Sequence, residues 1–373
     1  MKISVLQENL SKAASMVSRV VDNRPQLPVL ANILLIAEGS RLTLASTNLQ
    51  TSITCWIGAK VDEPGSITLP AKTFQELVSS LSPERVDLTL DSQTHTIQIQ
   101  CGATKSHIKG IDADEFPPIN HSDSRDVILA GKVFKEMINQ TVFAAANDDN
   151  RPVLTGVLTE FANNTMTMAA ADGYRLAVRT TQIDENFNEP VKLTIPAKAL
   201  QEVAKAITDE EVFINFPHRR DIITFEVGNV TISSQLIDGR FPDFANIIPR
   251  QYNSSTTMYT ADLLKACKRA EIFARDSSYS SRIIVNPPQN AGDAGSVKIV
   301  GRSQEKGDLD GVIDAGVEGE SLDVSFNIKY LIDVLQVIDD ERIVFQSNGP
   351  ETPGVVRLEN RDDFVHVIMP MSR

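Results

Sequence analysis

One pattern recurs three times along the 373-residue chain and constrains its fold more than any other feature. A β-like run ends on Pro or Asn and passes at once into a helical segment. The copies are Ile67-Thr-Leu-Pro-Ala-Lys-Thr-Phe-Gln-Glu-Leu77, Leu193-Thr-Ile-Pro-Ala-Lys-Ala-Leu-Gln-Glu-Val203 and Val324-Ser-Phe-Asn-Ile-Lys-Tyr-Leu-Ile-Asp-Val334. Pro70, Pro196 and Asn327 align at offsets of 126 and 131, and so do Lys72, Lys198 and Lys329 and the acids Glu76, Glu202 and Asp333. Proline suits such a junction, because it ends a strand and presets φ for the first helical turn.

A second trio opens each third of the chain. Residues 4–21, 128–145 and 258–275 each run from a short strand into an amphipathic helix, with Leu10, Phe134 and Leu264 aligned at offsets of 124 and 130. In the first of these helices Leu10, Ala13, Ala14, Val17, Val20 and Val21 fall on one face. A third trio, at 42–46, 166–170 and 297–301, is strand-like. The shared period predicts three tandem copies of one α+β domain, at 1–123, 124–252 and 253–373. Each copy halves again. MKISVLQENLSKAAS and GSITLPAKTFQELVSS are both strand-then-helix, and alternating runs such as 41–53 and 86–101 between and after them read as antiparallel strands. Each domain is therefore expected to carry two helices on antiparallel sheets, with joints in the polar stretches 122–126 and 250–255. Tandem copies on short linkers tend to arc, and an arc with matching ends can close on a second copy.

Composition narrows the class. No stretch approaches the roughly 20 apolar residues of a membrane span, and the N-terminus lacks the apolar core of a signal peptide. The expected location is cytoplasmic. Cys55, Cys101 and Cys267 are isolated, which predicts three reduced thiols and neither disulfide nor zinc site. The net charge of −13 argues against a tight grip on nucleic acid unless the basic residues are gathered on one face. They are gathered on the helices. The six expected at 7–21, 71–81, 131–146, 197–207, 261–275 and 328–338 hold twelve Lys and Arg against seven Asp and Glu. The remainder of the chain carries −18. Helices lining the inside of an arc would give a weakly positive bore and a negative exterior, suited to sliding on phosphates without stopping.

Ala171-Asp-Gly-Tyr-Arg-Leu-Ala-Val178 and Leu236-Ile-Asp-Gly-Arg-Phe-Pro-Asp-Phe244 resemble the two most characteristic motifs of the bacterial β sliding clamp family, the processivity subunits of DNA polymerase III. The resemblance extends to Arg24-Pro-Gln-Leu-Pro-Val-Leu30, Phe326-Asn-Ile-Lys-Tyr-Leu-Ile-Asp-Val-Leu335 and Ile368-Met-Pro-Met371, in the family's order and over the whole chain. It implies a head-to-tail homodimer forming a ring of six domains around duplex DNA. It also implies a pocket that accepts short linear peptides from the replicative polymerase α subunit, other polymerases, the clamp loader and repair proteins. Carried over by position, the pocket residues are Leu154, Gly173, Tyr174, Arg175, Leu176, Pro242, Val367, Met369, Pro370 and Met371. Leu, Val, Pro and two Met make an adaptable apolar surface, while Arg175 and the Gly173 backbone are expected to orient the peptide by hydrogen bonds. Arg24, Lys72 and Lys198 match DNA contacts, and Ile108, Ile272 and Phe273 match the dimer interface. Three positions depart from the family pattern. Asn246 stands where Arg is common, Asp148 where an uncharged DNA contact is common, and Ser106 where an aromatic is expected in the subunit interface.

No catalytic constellation competes with this reading. The five histidines form no metal spacing, and neither a phosphate-binding loop nor a dinucleotide fingerprint occurs. Asp148 and Asp149 are adjacent carboxylates in a polar turn after a helix, where a solvated cap is the simpler reading than a divalent-ion site. No cofactor and no enzyme activity are expected. A monomeric repeat scaffold that binds peptides would share the repeat and the pocket, and only dimerisation and the basic bore separate it from a clamp.

Overall fold

The computed structural model describes residues 1–22, 25–119, 124–148, 150–217, 221–290 and 293–371. Six α-helices each begin on the residue after a strand ends. They are α1 (Gln7–Val17), α2 (Ala71–Ser80), α3 (Gly131–Val142), α4 (Ala197–Ala206), α5 (Thr260–Ala274) and α6 (Ile328–Leu335). The aligned Pro70, Pro196 and Asn327 are the last residues of strands Gly65–Pro70, Arg175–Pro196 and Leu322–Asn327. Proline therefore does not enter the first helical turn. Pro70 keeps an extended ψ of 114° and hands over to Ala71. Asn327 does the same job with its side chain, accepting a 3.0 Å hydrogen bond from the Lys329 amide in the first turn of α6.

The second trio is shifted by one residue in its last member. Counted from the helix starts Gln7, Gly131 and Thr260, the residues buried at the fourth position are Leu10, Phe134 and Leu263. Leu264, the expected partner, is only partly buried. The adjacent leucines offer two registers with the same apolar spacing, and packing selects the one that also buries Ala266, Cys267 and Ala270.

The chain divides into two compact units. Unit 1 comprises Met1–Phe134 with Lys198–Leu236, and unit 2 comprises Lys135–Ala197 with Ile237–Arg373. In unit 1 a five-stranded antiparallel sheet runs in the order Lys60–Glu63, Lys2–Leu6, Arg85–Asp91, Thr96–Cys101, Thr104–Lys109. An eight-stranded sheet continues across two thirds of the sequence. Its order is Val127–Ala130, Glu211–Asn215, Ile222–Val227, Val230–Gln235, Thr51–Gly58, Arg41–Thr47, Asn32–Glu38, Gly65–Pro70. The junction is the five-pair ladder from Val230↔Cys55 to Ser234↔Thr51.

Unit 2 repeats this plan. Its ten-stranded sheet runs Gly156–Ala171, Arg175–Pro196, Arg361–Ile368, Gly354–Leu358, Arg342–Ser347, Ser254–Tyr259, Gly307–Gly319, Gly295–Ser303, Ser280–Asn286, Leu322–Asn327. The matching junction is the ladder from Arg175↔Ile368 to Arg179↔Phe364. Helices α5 and α6 pack on this sheet over a core of Leu263, Cys267, Val285, Val297, Phe326, Leu331 and Phe345. The approach is close enough that a Cβ on Gly301 would lie 2.4 Å from the Ala270 carbonyl, so only glycine fits under α5.

Within their observed bounds the six helices hold ten basic and seven acidic residues. Arg19 and Arg275, counted in the longer expected helices, lie in short 3₁₀ turns directly after α1 and α5. The segregation of charge survives at a smaller size. Lys72, Lys198 and Lys329 each sit second in their helix and are exposed.

Candidate functional site

Unit 2 gathers the predicted pocket residues around one hairpin turn. Strand Gly156–Ala171 ends, residues 172–174 turn, and Arg175 opens the next strand. Asp172 makes the turn, because its Oδ1 accepts from the amides of Tyr174 (2.9 Å) and Arg175 (3.0 Å). Gly173 has φ +95°, and a Cβ there would lie 2.7 Å from Nη1 of Arg151. Arg151 is held in that place by a 2.7 Å hydrogen bond from Nη2 to the Asp172 carbonyl. Glycine is thus required both for the backbone and for the guanidinium above it. Tyr174 projects from the turn, 63% exposed.

Arg175, expected to orient a peptide, is 8% exposed and already engaged within the chain. Nε donates to Asp172 Oδ2 at 3.0 Å and Nη1 donates to Asp333 Oδ2 on α6 at 2.7 Å. Its guanidinium also lies 4.4 Å from the Tyr330 ring centroid and 5.5 Å from that of Phe143. Burial, then the Asp172 carboxylate, pushes the Tyr330 phenol upward. Arg175 therefore ties the turn to α6, and a buried ion pair of this kind resists loss of either partner by about 3–5 kcal/mol.

Beneath the turn lies an apolar cluster. Leu154, Leu176 and Val367, three predicted pocket residues, meet there with Leu158, Ala169, Val178, Phe241, Val355 and Val365. Each large aliphatic side chain buried here stabilises by about 1.5–3 kcal/mol. Pro242, next to Phe241, is exposed and lines a cleft of 610 Å³ with Leu158, Glu160, Lys192, Thr194 and Phe244. The C-terminal segment closes the site. Its strand ends at Ile368, the Met369 amide donates to the Tyr174 carbonyl (2.8 Å), and the Met371 amide donates to the Ser325 carbonyl (2.8 Å). Pro370 between them is partly buried.

Behind this wall sits His366, fully buried on the strand face opposite to Val365 and Val367. Among the described residues no side chain pairs with either ring nitrogen, the Leu176 backbone lies near, and Phe143 packs 5.3 Å away. Burial, reinforced by nearby Arg175, pushes the imidazole down to about 3, so it is neutral at physiological pH. Two strand positions along, Arg179 is buried with Glu136 at 3.4 Å and Asp363, and Arg361 joins Glu136, Asp340 and Asp363.

Several residues that shape the site escape sequence reasoning. Asp333 carries a signal, because it belongs to the aligned acidic trio, and Phe241 lies inside a quoted motif. Tyr330 also lies inside a quoted motif, but Arg151, Phe143 and His366 carry no signal, because their partners are remote in sequence. Asn246 is exposed and hydrogen-bonded to Asp243 at 2.9 Å. The Asp148 carboxylate accepts from the Asn150 amide at 3.1 Å, and Asp149 lies outside the described residues.

The remaining predicted residues lie elsewhere. Lys72 and Lys198 are exposed helix-start residues in unit 1, and Arg24 falls outside the described residues. Ile272 at the end of α5 is 54% exposed and Phe273 beside it is half-buried. Ile108 is 6% exposed, and its side chain belongs to the core of its own sheet. What its strand offers outward is backbone. Ser106, two residues earlier, is half-buried.

Comparison with known proteins places this geometry. Three family models match in succession: the N-terminal domain of the DNA polymerase III beta subunit over residues 1–120, its central domain over 128–243 and its C-terminal domain over 245–372. The beta sliding clamp of Synechococcus elongatus is 30% identical over 378 residues, covering 100% of this chain and 99% of that one. That of Bacillus subtilis is 29% identical over 381 residues with the same coverage. The crystal structure of the Bacillus subtilis sliding clamp superposes with a TM-score of 0.92 at 28% identity, covering 100% and 99% of the two chains. A Pseudomonas aeruginosa sliding clamp bound to griselimycin gives 0.91 at 28% identity, with both chains covered completely. The three α+β domains, their order and their fold together establish that the chain belongs to the DNA polymerase III beta subunit family, the bacterial β sliding clamps.

Proposed function

We propose that two copies of this chain close head to tail into a ring around duplex DNA and tether the replicative polymerase to it. The chain is a non-catalytic processivity factor, and its domains 1–123, 124–252 and 253–373 would supply six to the ring. The supporting observation is a pair of open strand edges. In unit 1 a strand of one kind, Val230–Gln235, pairs with a strand of a second kind, Thr51–Gly58. In unit 2 the corresponding strands Arg361–Ile368 and Arg175–Pro196 pair in the same register. One member of each kind is left over. Thr104–Lys109 ends the five-stranded sheet, and residues 307–315 pair on one side only, with Gly295–Ser303, among the described residues. A third joint of the same type fits between two copies, beside the exposed Ile272. Open edges of this length otherwise invite aggregation, which closure removes.

Exposed Lys72, Lys198 and Lys329, at one repeated helical position, would face the enclosed DNA. Few cations on a chain of net charge −13 give weak, salt-sensitive contact that permits sliding. The turn at 172–174, the apolar cluster beneath it and the segment 369–371 would hold short peptides of the polymerase α subunit, the clamp loader and repair proteins. The ring acts in the cytoplasm, where the chromosome is copied.

The test is retention on DNA after loading by the cognate clamp loader, with nicked circles compared with the same molecules cut once. Protein kept on circles and lost from linear DNA is the expected result. Equal retention on both, with loading confirmed, would overturn topological binding.

A further inference from the structure

The eight methionines divide sharply by exposure. Met1, Met137, Met166, Met168 and Met258 are at most 8% exposed. Met16 on α1 and Met371 are partly buried, and Met369 stands apart at 41%. Its backbone is fixed by the bond to the Tyr174 carbonyl, and the neighbouring Met371 amide is fixed to Ser325. A solvent-accessible methionine is therefore anchored beside the 172–174 turn of the proposed pocket.

We propose that Met369 is a reversible oxidation site that weakens partner binding when hydrogen peroxide converts its thioether to the sulfoxide. This rests on the peptide-pocket reading above. The sulfur lone pair attacks one peroxide oxygen, the O–O bond breaks as the S–O bond forms, and the departing oxygen leaves as water after proton transfer. Sulfur is oxidised by two electrons and one peroxide is reduced to water. A methionine sulfoxide reductase with a thiol reductant reverses the step.

Two features make the site selective. The competing thiols are buried, since Cys55, Cys101 and Cys267 are all shielded. Burial also pushes the Cys55 thiol up to about 11 and the Cys267 thiol up to about 12, which withholds the reactive thiolate. The other feature is consequence. A sulfoxide introduces a strong dipole at the edge of a proposed pocket whose cluster, with Leu176, Val367 and Phe241, is apolar. An unpaired polar group in an apolar contact weakens binding by about tenfold or more.

The full-length protein is treated with graded hydrogen peroxide, and each methionine is followed by peptide-mapping mass spectrometry. Binding is read by fluorescence anisotropy of a fluorescein-labelled peptide copying the C-terminal clamp-binding segment of a bacterial polymerase III α subunit. Met369 is expected to oxidise first, the affinity to fall about tenfold, and reductases for both sulfoxide epimers to restore it. In the double variant Met369→Leu, Met371→Leu the ratio of affinities before and after peroxide should be one. In Met16→Leu the loss should persist. Oxidation of Met369 no faster than that of Met258, or full oxidation of Met369 without loss of affinity, would overturn the proposal alone. Absence of peptide binding before peroxide would overturn the pocket reading, and the proposal with it.

Discussion

Asn48 does in the first third of the chain what Asp172 does in the second. Its Oδ1 accepts from the amides of Gln50 (3.0 Å) and Thr51 (2.8 Å), and Leu49 takes the left-handed place of Gly173 with φ +73°. The floor is copied as well. Leu30, Leu34, Ala45 and Phe116 cluster in unit 1 as Leu154, Leu158, Ala169 and Phe241 do in unit 2. The walls differ. The cross-strand pairs Leu176↔Val367 and Val178↔Val365 correspond to Ser52↔Ser233 and Thr54↔Thr231. The pin differs too, with Thr51 in place of Arg175 and Glu202, paired with Lys205 and Arg19, in place of Asp333. The repeat duplicates a backbone and its floor. A handful of wall and pin side chains then decide which copy becomes an apolar pocket.

That comparison can be broken at the pin first. Arg175→Thr leaves Asp172 and Asp333 without their cation and is expected to destabilise by about 3–5 kcal/mol in urea unfolding. Thr51→Arg at the matching position should shift stability by less than about 0.5 kcal/mol. Equal effects would show that the buried pair holds nothing in place. The next difference lies behind the wall, where His366 in unit 2 corresponds to Ile232 in unit 1. Folding lowers the imidazole from 6.5 to about 3, so below pH 6.5 the unfolded chain takes up a proton that the folded chain refuses. This group's contribution is complete above pH 6.5 and is lost at about 1.4 kcal/mol per pH unit as the pH falls toward 3. His366→Ile should remove that slope from the acid side of a denaturation series, and an unchanged slope would assign the acid sensitivity to other groups. The smallest effect is expected from grafting the wall, with Ser52→Leu and Ser233→Val together. These should add a second, weaker peptide site per chain, read as a rise in stoichiometry by titration calorimetry. Unchanged stoichiometry would mean that the pin, rather than the wall, makes the pocket.

The strand-to-helix junctions were legible because Pro70, Pro196 and Asn327 mark a local event, the end of a ladder and the start of a helix. Leu263 and Leu264 show the limit of the same reasoning. Both satisfy the helical spacing, and only the sheet beneath α5 selects between them. The sharing of sheets between neighbouring thirds was not legible, because Cys55 meets Val230 and Arg175 meets Ile368 across some 175 to 193 residues of chain. At the site, Gly173 and Leu176 came through recognisable motifs. The burial of Arg175 did not, since its partners Asp333 and Tyr330 reach it from a helix that no local pattern connects to the turn. Ile108 shows a related limit. An edge strand offers its backbone outward while its side chains alternate inward, and sequence does not say which of the two a partner would meet.

The strand Arg361–Ile368 lies between antiparallel neighbours on both sides, and the segment that closes the pocket extends directly from its end. Antiparallel hydrogen bonds run perpendicular to their strands. A pull along the strand through this segment would load the rungs on both flanks together in shear, so the bonds could not peel open one at a time.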